Sequence, residues 1–214
     1  ESRIEESLEL LGLTPEDISY VLMTHMHHDH SGGLTKLNEN HQLVSTFPNA
    51  KIFVNDIEWY EMMNPNNRTK GTYLRENWEP IQHQVETFTE YLNVIPEIQM
   101  VHTGGHSNGH SIILLKQGNE TMIHMADLLL THAHRKPVWV AAVDDYPMRS
   151  IIAKEKWLKE AFENHYKFFF YHDQFFAVVE FDNEGKEIVD YVKRIREPRL
   201  PFTDKQDRKP ALYH

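Results

Sequence analysis

Four potential metal ligands, His25, His27, Asp29 and His30, fall within six residues, directly after the apolar run Tyr20-Val21-Leu22-Met23 and just before Gly32-Gly33. Imidazole nitrogen and carboxylate oxygen suit borderline divalent cations such as zinc, and no thiolate competes, because the chain contains no cysteine. His25 and His27 lie two apart, so in an extended backbone they project to the same side. After the chain turns, Asp29 and His30 face a second point close by. One short stretch feeding two adjacent points is the pattern a two-metal site requires. A solvated polar loop has no reason to hold His and Asp at these offsets behind an apolar strand.

Neither point is completed by this stretch alone. Three later positions can supply the remainder, each following a strand candidate. His106 lies in the glycine-rich turn His102-Thr-Gly-Gly-His-Ser-Asn-Gly-His110, Asp127 ends Met122–Ala126, and His172 ends Phe168–Tyr171. A carboxylate such as Asp127 can bridge two ions. Of the other histidines among the 15, His41, His83 and His165 read as hydrogen-bonded structural residues. His102 and His124 lie inside strands and read as packed or surface residues. His132 and His134 either line a substrate pocket or sit on a surface loop. Trp59, Trp78 and Trp139 read first as core, and only second as the wall of an apolar pocket.

The elements that must position these residues follow from periodicity. Ile4, Leu8 and Leu11 share a helical stripe, and Thr14-Pro15-Glu16-Asp17 suits a capped turn. Tyr20–Met23 and Ala50–Val54 read as buried strands, Asp56–Met63 as a helix, and residues 64–72 as a loop or lid. Tyr73–Phe88 is expected to be moderately helical. Ile98–His102, Ser111–Lys116 and Thr121–Met125 read as strands, the last two forming a hairpin around Gly118-Asn119. Ile151–His165 has an amphipathic helical pattern, Lys167–Tyr171 reads as a strand, and Phe175–Phe181 with Lys186–Val192 as a hairpin. Alternating strands and helices argue for a layered α/β or α+β domain.

Composition narrows the partners. The 214 residues are 40% hydrophobic and 25% charged, which suits one domain. Having 32 acidic against 22 basic side chains gives a net charge of −10, which repels phosphate backbones and anionic lipid. Nucleic acid and membranes are therefore not expected partners, and no apolar run is long enough to span a bilayer. The absence of cysteine excludes a disulfide scaffold, an iron–sulfur cluster and a cysteine nucleophile. The N-terminus, Glu1-Ser-Arg-Ile-Glu-Glu, has no signal-peptide core and no initiator Met. A cytoplasmic protein is expected, of which this chain is a fragment that begins in a helix.

Thr24-His25-x-His27-x-Asp29-His30, Gly105-His106, Ala126-Asp127 and His172 together resemble the metallo-β-lactamase superfamily. The resemblance implies a four-layer αββα sandwich with its metal site at one edge of the two sheets. It further implies that His25, His27 and His106 bind one zinc, that Asp29, His30 and His172 bind a second, and that Asp127 bridges both. Mn2+, Co2+ or Fe2+ would fit the same ligands. The segments His102–His110, Met125-Ala-Asp-Leu, Thr131-His-Ala-His, Asp144-Asp-Tyr-Pro-Met, Phe47-Pro-Asn-Ala and Glu79–Phe88 are similar to YtnP-type quorum-quenching N-acyl-homoserine lactonases. Methyl parathion hydrolase is a more distant relative with the same ligand set. One departure is Ser107-Asn108, where the superfamily usually has Thr-Pro. The resemblance also implies strands ahead of residue 1, so residues 1–195 are expected to be an N-terminally incomplete catalytic domain and residues 196–214 an irregular tail. A sheet edge left open in this way is expected to pair with a second copy or with an associated N-terminal segment.

The implied activity is opening of a lactone ring, with an N-acyl-homoserine lactone as substrate, by a hydroxide bridging two zinc ions. Asp29 and Asp127 are the expected catalytic carboxylates, and His110 is expected to orient the loop that carries His106. Asp29, Tyr146 and a metal-bound water each remain open as donor of the leaving-group proton. An organophosphate triesterase would use the same ligands, and pocket residues would decide between the two. A nuclease is disfavoured by the charge. A non-catalytic metal-binding module is disfavoured because all seven ligand positions hold competent side chains.

Overall fold

Residues 3–194 are described in the computed structural model, and the expected tail at 196–214 lies outside them. Strand β1 (Tyr20–Leu22) pairs in parallel with β4 (Lys51–Asn55), which pairs in parallel with β5 (Val85–Phe88). Between β1 and β4 a small hairpin forms from β2 (Thr35–Leu37) and β3 (Leu43–Ser45). The second sheet has seven strands. Along it lie β6 (Tyr91–Ile95), β7 (Ile98–His102), β8 (Ser111–Gln117), β9 (Glu120–His124), β10 (Lys167–Phe169), β11 (Phe176–Phe181) and β12 (Ile188–Lys193), in that spatial order. All neighbours in it are antiparallel except β9 and β10.

Side-chain alternation assigns the layers. Val21, Ile52, Val54 and Val85 face helix α3 (Asp56–Met63), packing with Trp59, Met62 and Ile81. Leu22, Phe53 and Phe88 point the other way, against Met100, Ile113 and Leu115 of the large sheet. The far face of that sheet, with Ile112, Leu114, Ile123 and Phe168, packs on Ala153, Trp157, Leu158 and Ala161 of helix α4 (Pro147–Glu163). The order is thus helix, sheet, sheet, helix. β4 reads as an unbroken apolar run because both its faces are buried.

Local chemistry sets the ends of these elements. Thr14 N–H donates to Asp17 Oδ2 at 2.8 Å, closing the expected turn. Asn55 caps α3 through Ile57 N–H at 3.0 Å while its own amide reaches Thr89 O at 2.7 Å, tying β4 to β5. Pro147 opens α4 at a position where its missing N–H costs nothing. The segment expected to be moderately helical, Tyr73–Phe88, instead forms two short 3-10 turns, Arg75–Asn77 and Glu79–Gln84, followed by β5. Pro80 stops an α-helix from propagating, and Val85–Phe88 gains more by pairing with β4. β6 and the β2–β3 hairpin were not expected from the sequence. Leu37 and Leu43 of the hairpin and Tyr91 of β6 are exposed, while Leu92 and Val94 of β6 pack against the core between the sheets.

The topology gathers one edge. β7, β9 and β10 run the same way, so the chain leaves all three at the same end of the large sheet. Ser111 N–H, at the start of β8, donates to Thr24 O at 2.8 Å and brings the exit of β1 to that edge. Among the described residues β1 is paired on one side only. A groove of about 980 Å³ runs beside it, lined by Ile4, Leu8, Leu22 and Phe47 and reaching His30.

Candidate metal centre

Each expected ligand sits on a segment that a sheet edge has already aimed. The chain leaving β1 stays extended through His27 (φ −58°, ψ 149°) and then closes into the short helix α2 (His28–Ser31). Ser31 Oγ–H is directed at Met26 O and His27 O, 3.1 and 3.0 Å away, which fixes that turn. His106 sits in the loop between β7 and β8, where Gly105 takes φ +104°. A Cβ there would stand 2.6 Å from Ser150 Oγ, so only glycine lets the loop lie on α4. Ala126 adopts a left-handed φ of +44° immediately before Asp127, turning the chain sharply as β9 ends. His172 follows β10.

These segments bring together all seven expected side chains in two groups. Ligand atoms of His25, His27 and His106 lie within 4.8 Å of one another, as do those of Asp29, His30, Asp127 and His172. Asp127 touches both. Its Oδ1 is 3.1 Å from His30 Nε2 and 3.2 Å from His172 Nε2, while its Oδ2 is 3.2 Å from His106 Nε2 and 4.0 Å from His25 Nε2. Asp29 Oδ2 lies 3.4 Å from His172 Nε2 and 3.5 Å from His30 Nε2. The first group is the more deeply buried, and Asp29 is the exposed member of the second.

The donor set fits divalent cations. His27 Nδ1 and His106 Nε2 face each other at 2.9 Å, and His30 Nε2 and His172 Nε2 at 3.2 Å. Two imidazole lone pairs that close repel unless a proton or a cation lies between them. His25 Nε2 is buried in the same space with no hydrogen-bond partner. Burial, reinforced by neighbouring imidazoles, pushes His25 well below the ordinary histidine value and His27 down to about 4. Both rings are therefore neutral near pH 7 and able to donate lone pairs. Burial opposes ionisation of Asp127, but the adjacent imidazoles of His172 and His30 outweigh it and hold the carboxyl well below the usual carboxylate range. The Asp127 carboxylate in turn raises His172.

Outer residues aim the ligands, and here sequence reasoning missed a key partner. His106 Nδ1 lies 2.9 Å from Oδ1 of buried Asp144. An ionised carboxylate only accepts, so Nδ1 carries the proton and Nε2 turns its lone pair toward the centre. Asp144 begins the segment Asp144-Asp-Tyr-Pro-Met, and nothing in the local sequence marks it as a partner of His106. Asp144→Ala is expected to weaken cation binding by about 10–100-fold. Competition with a chromophoric chelator measures this, and an unchanged affinity would refute the role given to Asp144.

His110 is fully buried, its Nδ1 3.0 Å from Thr103 Oγ1 and its ring 5.3 Å from that of His25. With Thr103 it lies at the base of the loop that carries His106. His132 neither lines the cleft nor sits on a surface. It is buried, with its Nδ1 2.5 Å from Oδ2 of Asp173, the neighbour of His172. His134 bonds Thr131 Oγ1 at 2.8 Å. Trp59 and Trp78 pack on the core, but Trp139 is 40% exposed, with Lys136 over its ring, which corrects its reading as core. A cleft of about 450 Å³ opens on His27, Asp29, His106 and Asp127, with Arg68 and Val143 also lining it. Among the described residues Tyr146 does not line this cleft, whereas Asp29 does.

A four-layer fold carrying a histidine–aspartate centre at one sheet edge defines a class of metal-site protein. The sequence profile of the metallo-beta-lactamase superfamily matches residues 1–162, and the chain belongs to that superfamily. It is 30% identical to an N-acyl homoserine lactonase of Bacillus sp over 117 residues, a match covering 54% of this chain and 40% of the relative. The chain thus spans about two fifths of the length of that curated relative. A crystal structure from Staphylococcus aureus, described as a "probable metal-dependent hydrolase", is similar with a TM-score of 0.86 at 41% identity, covering 91% of this chain and 69% of that one. The dizinc quorum-quenching lactonase AidC, solved with the product N-hexanoyl-L-homoserine, shares the fold with a TM-score of 0.74 at 19% identity, covering 91% and 70%. No helix among the described residues is long and apolar enough to cross a membrane.

Proposed function

We propose that this chain carries the catalytic centre of a metal-dependent hydrolase that opens lactone rings, with N-acyl-homoserine lactones as the substrate class. One observation carries the reading: two donor groups, complete in nitrogen and oxygen ligands, share the single carboxylate of Asp127 at a cleft. The lactonase relatives support the choice of substrate. His25, His27, His106 and Asp127 would hold one cation, and Asp29, His30, His172 and Asp127 a second, zinc being the expected metal. Such a pair supplies Lewis acidity toward an ester carbonyl and a nucleophile drawn from water at neutral pH.

The protein's own residues do the rest. Asp144 holds the His106 tautomer, and burial keeps His25 and His27 neutral. Asp29, open to the cleft, takes the proton that water loses as it adds to the carbonyl. It returns that proton to the ring oxygen when the C–O bond breaks, so lactone and water become the hydroxy acid. The test is a comparison of N-acyl-homoserine lactones with paraoxon-type phosphotriesters, before and after dialysis against a chelator. Lactone hydrolysis is expected to dominate in kcat/KM and to vanish on metal removal. Preference for the phosphotriester would overturn the substrate, and chelator-resistant hydrolysis would overturn the centre.

A further inference from the structure

Glu58 offers no atom to either donor group, yet its carboxylate joins the two stretches of chain that supply the first. It is completely buried in α3. Its Oε1 accepts from Met26 N–H at 2.8 Å and from Tyr73 O–H at 2.9 Å, and its Oε2 accepts from Ser107 Oγ–H at 2.6 Å. Met26 lies between His25 and His27, and Ser107 follows His106. Tyr73 in turn sets its ring 5.4 Å from that of His27. A buried carboxylate is tolerated only when donors replace its lost water, and here all three donors come from the walls of the metal centre.

We propose that Glu58 is a positioning residue for the group formed by His25, His27 and His106. By holding Met26 N–H and Ser107 O–H on one rigid carboxylate, it sets the separation of the two loops from which those imidazoles project. The inference rests on the reading of the two groups as cation sites. The second group is tied by another side chain, since Tyr171 O–H, beside His172, donates to Asp29 O at 2.9 Å, and the hydrogen bonds of Glu58 reach none of its four residues. The effect of Glu58 is therefore selective for one of two cations. A residue that merely stabilised the fold would not discriminate between them.

Zinc titration of the protein against a chromophoric chelator, beside thermal melts, tests this. Wild type is expected to bind two equivalents, and His106→Ala identifies which belongs to the first group. Glu58→Ala is expected to weaken that equivalent by about 10–100-fold and leave the other unchanged. Glu58→Gln is expected to restore it. The Gln carbonyl oxygen still accepts from Met26 and Tyr73, and its amide N–H donates to Ser107 Oγ. Wild-type affinities in a cooperatively melting Glu58→Ala protein, equal weakening of both equivalents, or no rescue by Gln would each overturn the proposal. If Glu58→Ala does not melt cooperatively, Ser107→Ala decides: weakening confined to the first equivalent supports the proposal, and unchanged binding overturns it. A wild-type protein that takes up no zinc would instead refute the cation sites themselves, and the role of Glu58 with them.

Discussion

Asp127→Ala is expected to reduce bound metal from two equivalents to at most one and to lower lactone kcat/KM by at least about 10²–10³-fold. Asp127 reaches both donor groups, with one oxygen turned to His30 and His172 and the other to His106 and His25. Its removal takes the anionic oxygen from the first group altogether, leaving three neutral imidazoles to hold a dication. It also removes the carboxylate shared by the two cation positions. Asp127→Asn keeps the shape but is expected to fall nearly as far, because one of its two ends then presents N–H to imidazoles that must donate lone pairs. Metal analysis of the purified variants, alongside lactone hydrolysis, checks both expectations. Retention of two equivalents by Asp127→Ala would show that the groups hold their ions independently.

A single methyl group on a residue that offers no ligand atom is expected to damage the protein's stability most. Gly109 lies so near the start of α3 that an added Cβ would meet Glu58 N at 2.1 Å, Cβ at 2.4 Å and Cα at 2.5 Å. Non-bonded carbons settle near 3.5–4.0 Å, and two of these three obstacles are backbone atoms that no rotamer change can move. Either the β7–β8 loop must lift or α3 must shift. Gly109→Ala is expected to cost about 3 kcal/mol or more, lowering Tm by roughly 6–12 °C. Gly71→Ala, where the added atom meets nothing within 4 Å, is the matched control and should melt like wild type. A Gly109→Ala protein melting within a degree of wild type would mean that the loop and helix do not touch.

What could be read from the sequence divides along physical lines. The cluster at 25–30 was legible because its ligands are neighbours in the chain, behind an apolar run that had to be a strand. His106, Asp127 and His172 were legible because each follows a strand, and strands leaving one sheet edge converge. Asp144 and Glu58 were not. Asp144 meets His106 across 38 residues and Glu58 meets Ser107 across 49, and no local pattern announces a buried carboxylate whose donors arrive from elsewhere. The reading of Tyr73–Phe88 as helix failed for a related reason. Its helical turns are real but short, and the pairing of Val85–Phe88 with β4 is a long-range gain that local propensity does not record. β4, by contrast, was evident at once, because burial on both faces leaves an uninterrupted apolar signature.

The division of the ligands between one compact stretch and three distant positions has a thermodynamic consequence. A cation that binds only the native chain stabilises it by an amount that grows with the logarithm of its concentration, about 2.7 kcal/mol at 100 times Kd. His106, Asp127 and His172 are available to it only when both sheets have formed. His25, His27, Asp29 and His30 stay within six residues of each other even in the unfolded chain, where they remain a weak chelating peptide. Metal therefore grips both ends of the folding equilibrium. Its net contribution to stability is the difference between the completed centre and that peptide, so affinity measured on the native protein overstates how far the ion holds the fold together.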